Sequence, residues 1–309
     1  MLKKDVIRVG TRGSDLALWQ ARHIIALLER DHPDVAFQIV EVSTRGDRDR
    51  ETPLHRAGGV GLFVKGLEVA LLNGQIDAAV HSLKDMPSRV PPDLALAAVP
   101  QRGDPRDTLV SAAGRTLMDL PGGARVGTGS PRRKAQILSL RPDVEVLGIR
   151  GNVDTRLRKV FAGDYDAVVL AAAGLIRLGR EEAVTEWLSP ETLLPAAGQG
   201  ALAVEIRAGD EETQTLVAAA NHRASRAAAR AERSFMARLG AGCHVPAAAY
   251  AVVEGDEGWL WLRGLVASHG GQTMIRAERR GAISAAEGLG EAVAEDLLER
   301  GAGPLLGRE

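Results

Sequence analysis

Arg8-Val9-Gly10-Thr11-Arg12-Gly13-Ser14 and, much later in the chain, Arg125-Val126-Gly127-Thr128-Gly129-Ser130 are two versions of one phrase. Each reads as a short apolar strand ending in a small polar turn. Each is followed by a helical pattern. From Asp15, residues Leu18, Ala21, Ile25 and Leu28 share one face, and Pro131 to Leu140 has the same character. Ser14 and Ser130 stand where helix N-caps belong, and Pro131 at the first helical position strengthens the second. A repeated strand–turn–helix unit predicts two α/β domains of similar build, facing each other.

Working outward from the first copy, Phe37 to Val42 reads as a strand and Leu62 to Leu72 as a helix closed by Asn73-Gly74. Ile76 to Val80 reads as another strand. The alternation predicts a parallel-type sheet. Pro100 to Asp107, rich in Pro, Arg, Asp and Gly, reads as a crossover. Around the second copy follow strands at 144–149 and 166–171, and helices at 154–161 and 180–188. Pro195 to Gly200 reads as a flexible segment before a strand at 201–206. The last third changes character. A helix over Arg223–Leu239 precedes strands at 247–253, 259–267 and 272–279, then a closing helix over 284–300. This predicts a small α+β domain with a three-stranded antiparallel sheet.

A chain of 309 residues, 45% hydrophobic and 26% charged, is expected to form two or three globular domains. Aromatics are only 3%, so the core must be built of Ala, Val, Leu and Ile. Lys and Arg total 39 against 40 Asp and Glu, a net charge of −1, which argues against a nucleic-acid binder. No apolar run is long enough to span a bilayer. No signal-length run follows Met1, so a cytoplasmic location with no membrane partner is expected; no large apolar patch is evident, so a monomer is expected. The single cysteine, Cys243, cannot form an intramolecular disulfide, and the seven histidines show no metal-ligand spacing.

Ligands of α/β sheets bind at the strand ends. Here those ends offer Arg12 and Ser14; Ser82, Lys84 and Asp85; Ser130, Arg132 and Arg133; Arg150 and Arg156; and Arg177. One arginine is usually a solvated surface group. The same pattern at five strand ends of a net acidic chain predicts a cleft for a ligand with several anionic groups. There is no phosphate-binding glycine loop of either common type, so a polycarboxylate is favoured over a nucleotide. Asp85 is the acid among these cations. It is either an ion-pair partner or a carboxylate that stabilises a developing cation or carries a proton. Cys243 lies in Leu239-Gly240-Ala241-Gly242-Cys243-His244-Val245-Pro246. A lone cysteine is usually a small buried hydrophobe, but this glycine-rich loop favours a presented thiol. Cys243 and His244 are adjacent, so their side chains diverge and make no direct dyad.

Together these stretches resemble the porphobilinogen deaminase (hydroxymethylbilane synthase) family over essentially the whole chain. The resemblance rests on Ala17-Leu18-Trp19-Gln20, Thr44-Arg45-Gly46-Asp47, Gly61-Leu62-Phe63-Val64-Lys65 and His81-Ser82-Leu83-Lys84-Asp85. It continues in Arg150-Gly151-Asn152-Val153, Pro195-Ala196-Ala197-Gly198-Gln199-Gly200 and Gly242-Cys243-His244-Val245-Pro246. It implies two α/β domains like type II periplasmic binding proteins flanking an active-site cleft, plus a small C-terminal α+β domain. The implied division is 1–99 with 198–220, then 100–197, then 221–309. The implied reaction joins four porphobilinogen molecules head to tail, with loss of ammonia, on a dipyrromethane cofactor thioether-linked to Cys243. Asp85 matches the catalytic position. Lys84, Ser82, Ser130, Arg132, Arg133, Arg150, Arg156 and Gly174 match cofactor-binding positions, and Arg12, Ser14, Arg177, Gln199 and Arg8 substrate-binding ones. The sequence departs from the family's common residues at Arg56, Val60, Gly66 and Gly129. A two-lobed anion-binding protein without catalysis, or a hydrolase using Cys243, are the competing readings; a pure binder needs no presented thiol in a third domain, and a hydrolase lacks a suitable histidine partner for Cys243.

Overall fold

A computed structural model describes residues 6–43, 64–242, 245–255 and 258–307. The chain begins β1 Val6–Thr11, α1 Asp15–Asp31, β2 Ala36–Glu41, α2 Lys65–Leu72, β3 Ala78–Ser82 and β4 Leu94–Ala98. It then passes into β5 Asp107–Ser111, β6 Arg125–Gly127, α3 Pro131–Leu140, β7 Glu145–Leu147, α4 Val153–Phe161, β8 Ala167–Ala171, α5 Ala172–Arg177 and β9 Glu186–Leu188. After a second passage come β10 Leu202–Arg207 and α6 Glu211–Val217. The last elements are α7 Arg223–Leu239, β11 Ala247–Glu254, β12 Trp259–Ala267, β13 Met274–Ala282 and α8 Ala286–Leu297.

The two copies of the opening phrase are β1 and β6, and they do the same work in two matching sheets. The sheets run β2-β1-β3-β10-β4 and β7-β6-β8-β5-β9. In each the first three strands are parallel and the fourth is antiparallel to its neighbours. So β5 and β10, the strands that follow the two passages between lobes, fill the same slot. Both sheets are therefore mixed rather than of parallel type. The reason is geometric: each passage leaves one sheet and enters the next at the cleft end, so the arriving strand must run back against its neighbours.

The repeated residues explain themselves in pairs. A Cβ on Gly10 would overlap Ile76 Cδ1, and one on Gly127 would press on the Tyr165 ring at 3.0 Å. Ile76 and Tyr165 occupy equivalent places, two residues before β3 and β8. Arg8 donates its backbone N–H and Nε to Asp77 Oδ2, at 3.0 and 2.9 Å. Arg125 does the same to Asp166 Oδ2, at 2.7 and 3.3 Å. Each arginine therefore pins the start of the neighbouring strand.

The third sheet, β11-β12-β13, is wholly antiparallel. One face packs under α7 and α8 around fully buried Phe235, with Ala227, Ala231, Leu262 and Val293. Alanines and Gly290 let the two helices meet closely, as an aromatic-poor core requires. Its other face sets Ala248, Leu265 and Ala267 against Ala135 and Leu194 of the second lobe. Buried Glu232 of α7 ties the assembly together. It accepts from Arg102 Nη1 at 2.6 Å, Gly198 N–H at 2.6 Å and Ala251 N–H at 2.8 Å. Both passages between lobes are thus fastened to the third domain by one carboxylate.

Several expectations are corrected. Residues 180–188 form no α-helix: a short 3-10 turn, Glu181–Ala183, leads into β9, because Asp107↔Leu188 pairing completes the sheet edge and buries Leu188. The closing helix ends at Leu297 and loosens through Gly301, whose φ is 91°. The segment 195–200 is a tight turn, with Gly198 and Gly200 at φ 73° and 83°. Strands β4 and β5 and helices α5 and α6 are additional to the expected elements.

Candidate active site

The cleft ends of β1, β3, β6, β7 and β8 carry the charged residues, and the helix caps orient them. Ser14 caps α1 by accepting from Ala17 N–H, Ser130 caps α3 by accepting from Arg133 N–H, and Asn152 caps α4 by accepting from Thr155 N–H. The positive ends of α1, α3 and α4 therefore add to the formal charges. Gly129 leaves room for the Ile149 carbonyl, which a Cβ there would approach at 3.3 Å; a serine would force that carbonyl to give.

Arg132 and Arg133, next to this cap, are almost completely buried and share Asp107. Burial alone would raise the Asp107 pKa, but the two guanidiniums hold it well below the usual carboxylate range. Gln199 Nε2 donates to the same carboxylate at 2.9 Å. Gln199 and the two arginines are thus brought together, with much of their hydrogen bonding spent on protein partners. Asp107, absent from the expected site, is what gathers them.

Lys84 and Asp85 form a short turn after β3, held by the glycine turn of the second passage. A Cβ on Gly198 would come within 3.0 Å of Lys84 N and 2.9 Å of Leu83 Cγ, so only glycine allows this approach. Ser82 accepts from Gln20 Nε2 of α1 at 2.9 Å, a second site partner not singled out beforehand. The partly buried Lys84 ammonium has its pKa pushed down to about 8, first by burial; Asp85 pulls it up and Arg133 pushes it down. Arg156 is pushed down to about 10, again by burial first and then by Arg133 and Arg150, with Asp85 opposing. These residues therefore lie within electrostatic reach across the cleft. Lys84, Arg132, Arg133, Arg150 and Arg156 face two carboxylates, Asp85 and Asp107, a surplus of three positive charges.

Arg177 joins the lobes. Its Nη2 donates to Gly200 O at 2.7 Å, and its guanidinium lies 5.6 Å from the Trp19 ring of α1. Burial pushes its pKa down to about 10. Gly174 sits between Leu16 of α1 and Val153 of α4, at ordinary contact distance. Arg12, partly buried, follows β1 at the same edge. Arg8 does not join them. It lies three residues back along β1, about 10 Å from the strand end, with its fork on Asp77. That placement suits the strand-pinning role it shares with Arg125. Cys243 and the departures at Arg56 and Val60 lie outside the described residues.

Of the buried side-chain donors that lack an acceptor among the described residues, two belong to the cleft, Arg150 Nη2 and Arg132 Nε. Unpaired buried donors are costly, and a carboxylate-bearing ligand would satisfy them. The residues present therefore fit a polycarboxylate group such as dipyrromethane. One consequence is measurable. Lys84 is cationic below about pH 8 in the free site, so affinity for a carboxylate ligand should fall as pH rises through that value. Lys84→Arg, charged throughout, should flatten the profile. A wild-type binding curve flat from pH 7 to 9, measured by calorimetry, would remove Lys84 from the ligand contacts.

The fold and the cleft define a two-lobed α/β protein with a cation-rich cleft and an attached third domain. Residues 7–215 match the family described as "Porphobilinogen deaminase, dipyromethane cofactor binding domain", and residues 227–299 match "Porphobilinogen deaminase, C-terminal domain". Curated relatives include "Porphobilinogen deaminase" of Roseiflexus castenholzii, 51% identical over 98% of this chain and 99% of that protein. The counterpart from Roseiflexus sp. (strain RS-1) is 50% identical over the same shares. Among solved structures, the chain is similar to the probable amino-acid ABC transporter extracellular-binding protein ytmK from Bacillus subtilis. That similarity has 13% identity and a TM-score of 0.44, covering 70% of this chain and 89% of that one. The chain belongs to the porphobilinogen deaminase family.

Proposed function

We propose that the cleft joins four porphobilinogen units head to tail into hydroxymethylbilane, with Asp85 at the reacting centre and the cations around it holding carboxylates. The chain is a transferase of tetrapyrrole biosynthesis that uses a dipyrromethane cofactor; what is proposed is the part each residue plays. The observation that carries the reading is the surplus of three positive charges around Asp85, whose carboxylate accepts no hydrogen bond among the described residues. Every porphobilinogen brings an acetate and a propionate, so a growing chain needs many fixed cations. Lys84, Ser82, Ser130, Arg132, Arg133, Arg150 and Arg156, with Gly174 beside them, are assigned to the cofactor side. Arg12, Ser14 and Arg177 are assigned to the incoming substrate. Gln199 and Arg8 are reassigned, to holding Asp107 and to pinning the start of β3 through Asp77 respectively, on the contacts described above.

In each addition the substrate's C–N bond breaks and ammonia leaves, and a C–C bond forms to the terminal pyrrole, which gives up its ring proton. Both the substrate left by ammonia and the pyrrole that has just attacked it are cationic. A carboxylate at Asp85 would stabilise both, and it is assigned to receive or pass the proton. When bound, dipyrromethane supplies the pyrrole end from which the product grows. Cys243 is proposed as its thioether anchor. The domain division proposed is 1–99 with 198–220, 100–197 and 221–309; the placement of β10 in the first sheet supports the return.

The test is the intact mass of the denatured protein, because denaturation removes ligands held by charge but not a thioether. The expected result is an excess of two linked pyrrole units, either as purified or after incubation with porphobilinogen. A bare chain mass that porphobilinogen leaves unchanged would overturn the reading.

A further inference from the structure

We propose that Asp107 is a positioning residue for elongation: one buried carboxylate fixes the forks of Arg132 and Arg133 and fastens them to Gln199 on the passage back into the first lobe. The proposal rests on the reading that Arg132 and Arg133 hold ligand carboxylates.

Asp107 opens β5 at the cleft end of the second sheet and has no exposed surface. Both of its oxygens are used. Oδ2 accepts from Arg132 Nη1 at 2.7 Å. Oδ1 accepts from Arg133 Nε and Nη2, at 3.0 and 2.6 Å, and from Gln199 Nε2 at 2.9 Å. Each guanidinium has a second fixed point on a carbonyl, Leu194 O for Arg132 and Val169 O for Arg133. A fork held at two points has already lost its rotamer freedom, so a ligand carboxylate meets it preorganised.

The charge balance supports the same role. Two arginines 4% and 6% exposed could not both stay buried without a counter-charge. One aspartate between them leaves one net positive charge to attract an anion, and Arg132 Nε has no acceptor among the described residues. Gln199 carries the linkage further. Its Nε2 also donates to Pro105 O at 2.7 Å, and its backbone carbonyl accepts from Arg102 Nε at 2.8 Å. The pose of the arginine pair is therefore set by both passages between the lobes, through a residue that need touch no ligand.

Asp107→Asn keeps the shape and removes the charge. Apo protein is incubated with porphobilinogen, and the rate of gain of two pyrrole units is followed by denatured mass. Asp107→Asn is expected to load at least tenfold more slowly than wild type while keeping a cooperative unfolding transition. Once loaded, it should show a KM raised about tenfold with kcat changed less than threefold, the pattern of lost uniform binding. Gln199→Glu sets a second carboxylate against the first and should slow loading in the same direction with both arginines intact, which preserves the test if Asp107→Asn folds poorly. Wild-type loading and KM in folded variants would overturn the proposal. Failure of wild type itself to gain pyrrole mass would instead overturn the functional reading, and the proposal with it.

Discussion

Asp85→Ala is expected to lower kcat by on the order of a thousandfold or more, with a melting temperature close to wild type. The cleft holds a surplus of positive charge suited to carboxylates. The same surplus opposes a reaction whose intermediates are cations. One carboxylate must therefore face the reacting centre, and the two acids of the cleft differ in whether they can. Asp107 has every oxygen occupied by arginine and glutamine donors. Asp85 has no hydrogen-bond donor on its carboxylate among the described residues; its neighbours Lys84 and Arg156 act on it through the field alone. A carboxylate open in this way is what a pyrrolic N–H would need. Asp85→Asn, which keeps the shape and loses the charge, should be nearly as impaired as Asp85→Ala. Turnover by either variant within tenfold of wild type, in stopped assays of ammonia release, would remove Asp85 from the reacting centre.

The largest loss of stability is expected from Glu232→Ala, about 3–5 kcal/mol by equilibrium denaturation in urea. Glu232 has no exposed surface and its Arg102 partner is only 11% exposed, so the pair is shielded from water. Truncation leaves the guanidinium without its counter-charge and strips acceptors from the Gly198 and Ala251 N–H groups. Arg102 keeps Gln199 O and its position 5.1 Å from the Tyr250 ring, which offsets a minor part. Removing both charges together, as in Arg102→Met with Glu232→Met, should recover part of the loss, because no orphan cation remains. A single-variant cost under 1 kcal/mol would mean that the junction is held by apolar packing alone.

The two-lobed architecture was legible because it is written twice. Gly10 and Gly127, and Arg8 and Arg125, repeat since each lobe needs the same close approach and the same pinned strand. The cation-rich cleft was legible as residue types at strand ends. Which cations are engaged was not. Asp107 stands far along the chain from Arg132 and Gln199, in a stretch of Pro, Arg and Asp that looks like any crossover. Arg8 and Arg12 share one phrase, yet one pins a strand and the other borders the cleft, a difference that only the strand's length sets. β9 is three residues long, too short for any periodicity, and exists because β5 offers an edge.

Insertion of β10 between β3 and β4 bears on how the protein is made. A ribosome delivers β3 and β4 early, but the strand that must lie between them leaves the tunnel only after the whole second lobe. At roughly 5–20 residues per second, the first sheet waits several seconds with two edges unpaired. Such edges invite pairing with other nascent chains. The second lobe, continuous from β5 to β9, can close its own sheet in the meantime. Order of synthesis therefore reverses order of completion: the lobe that emerges first is finished last, and the exposed interval is where a chaperone would find its substrate.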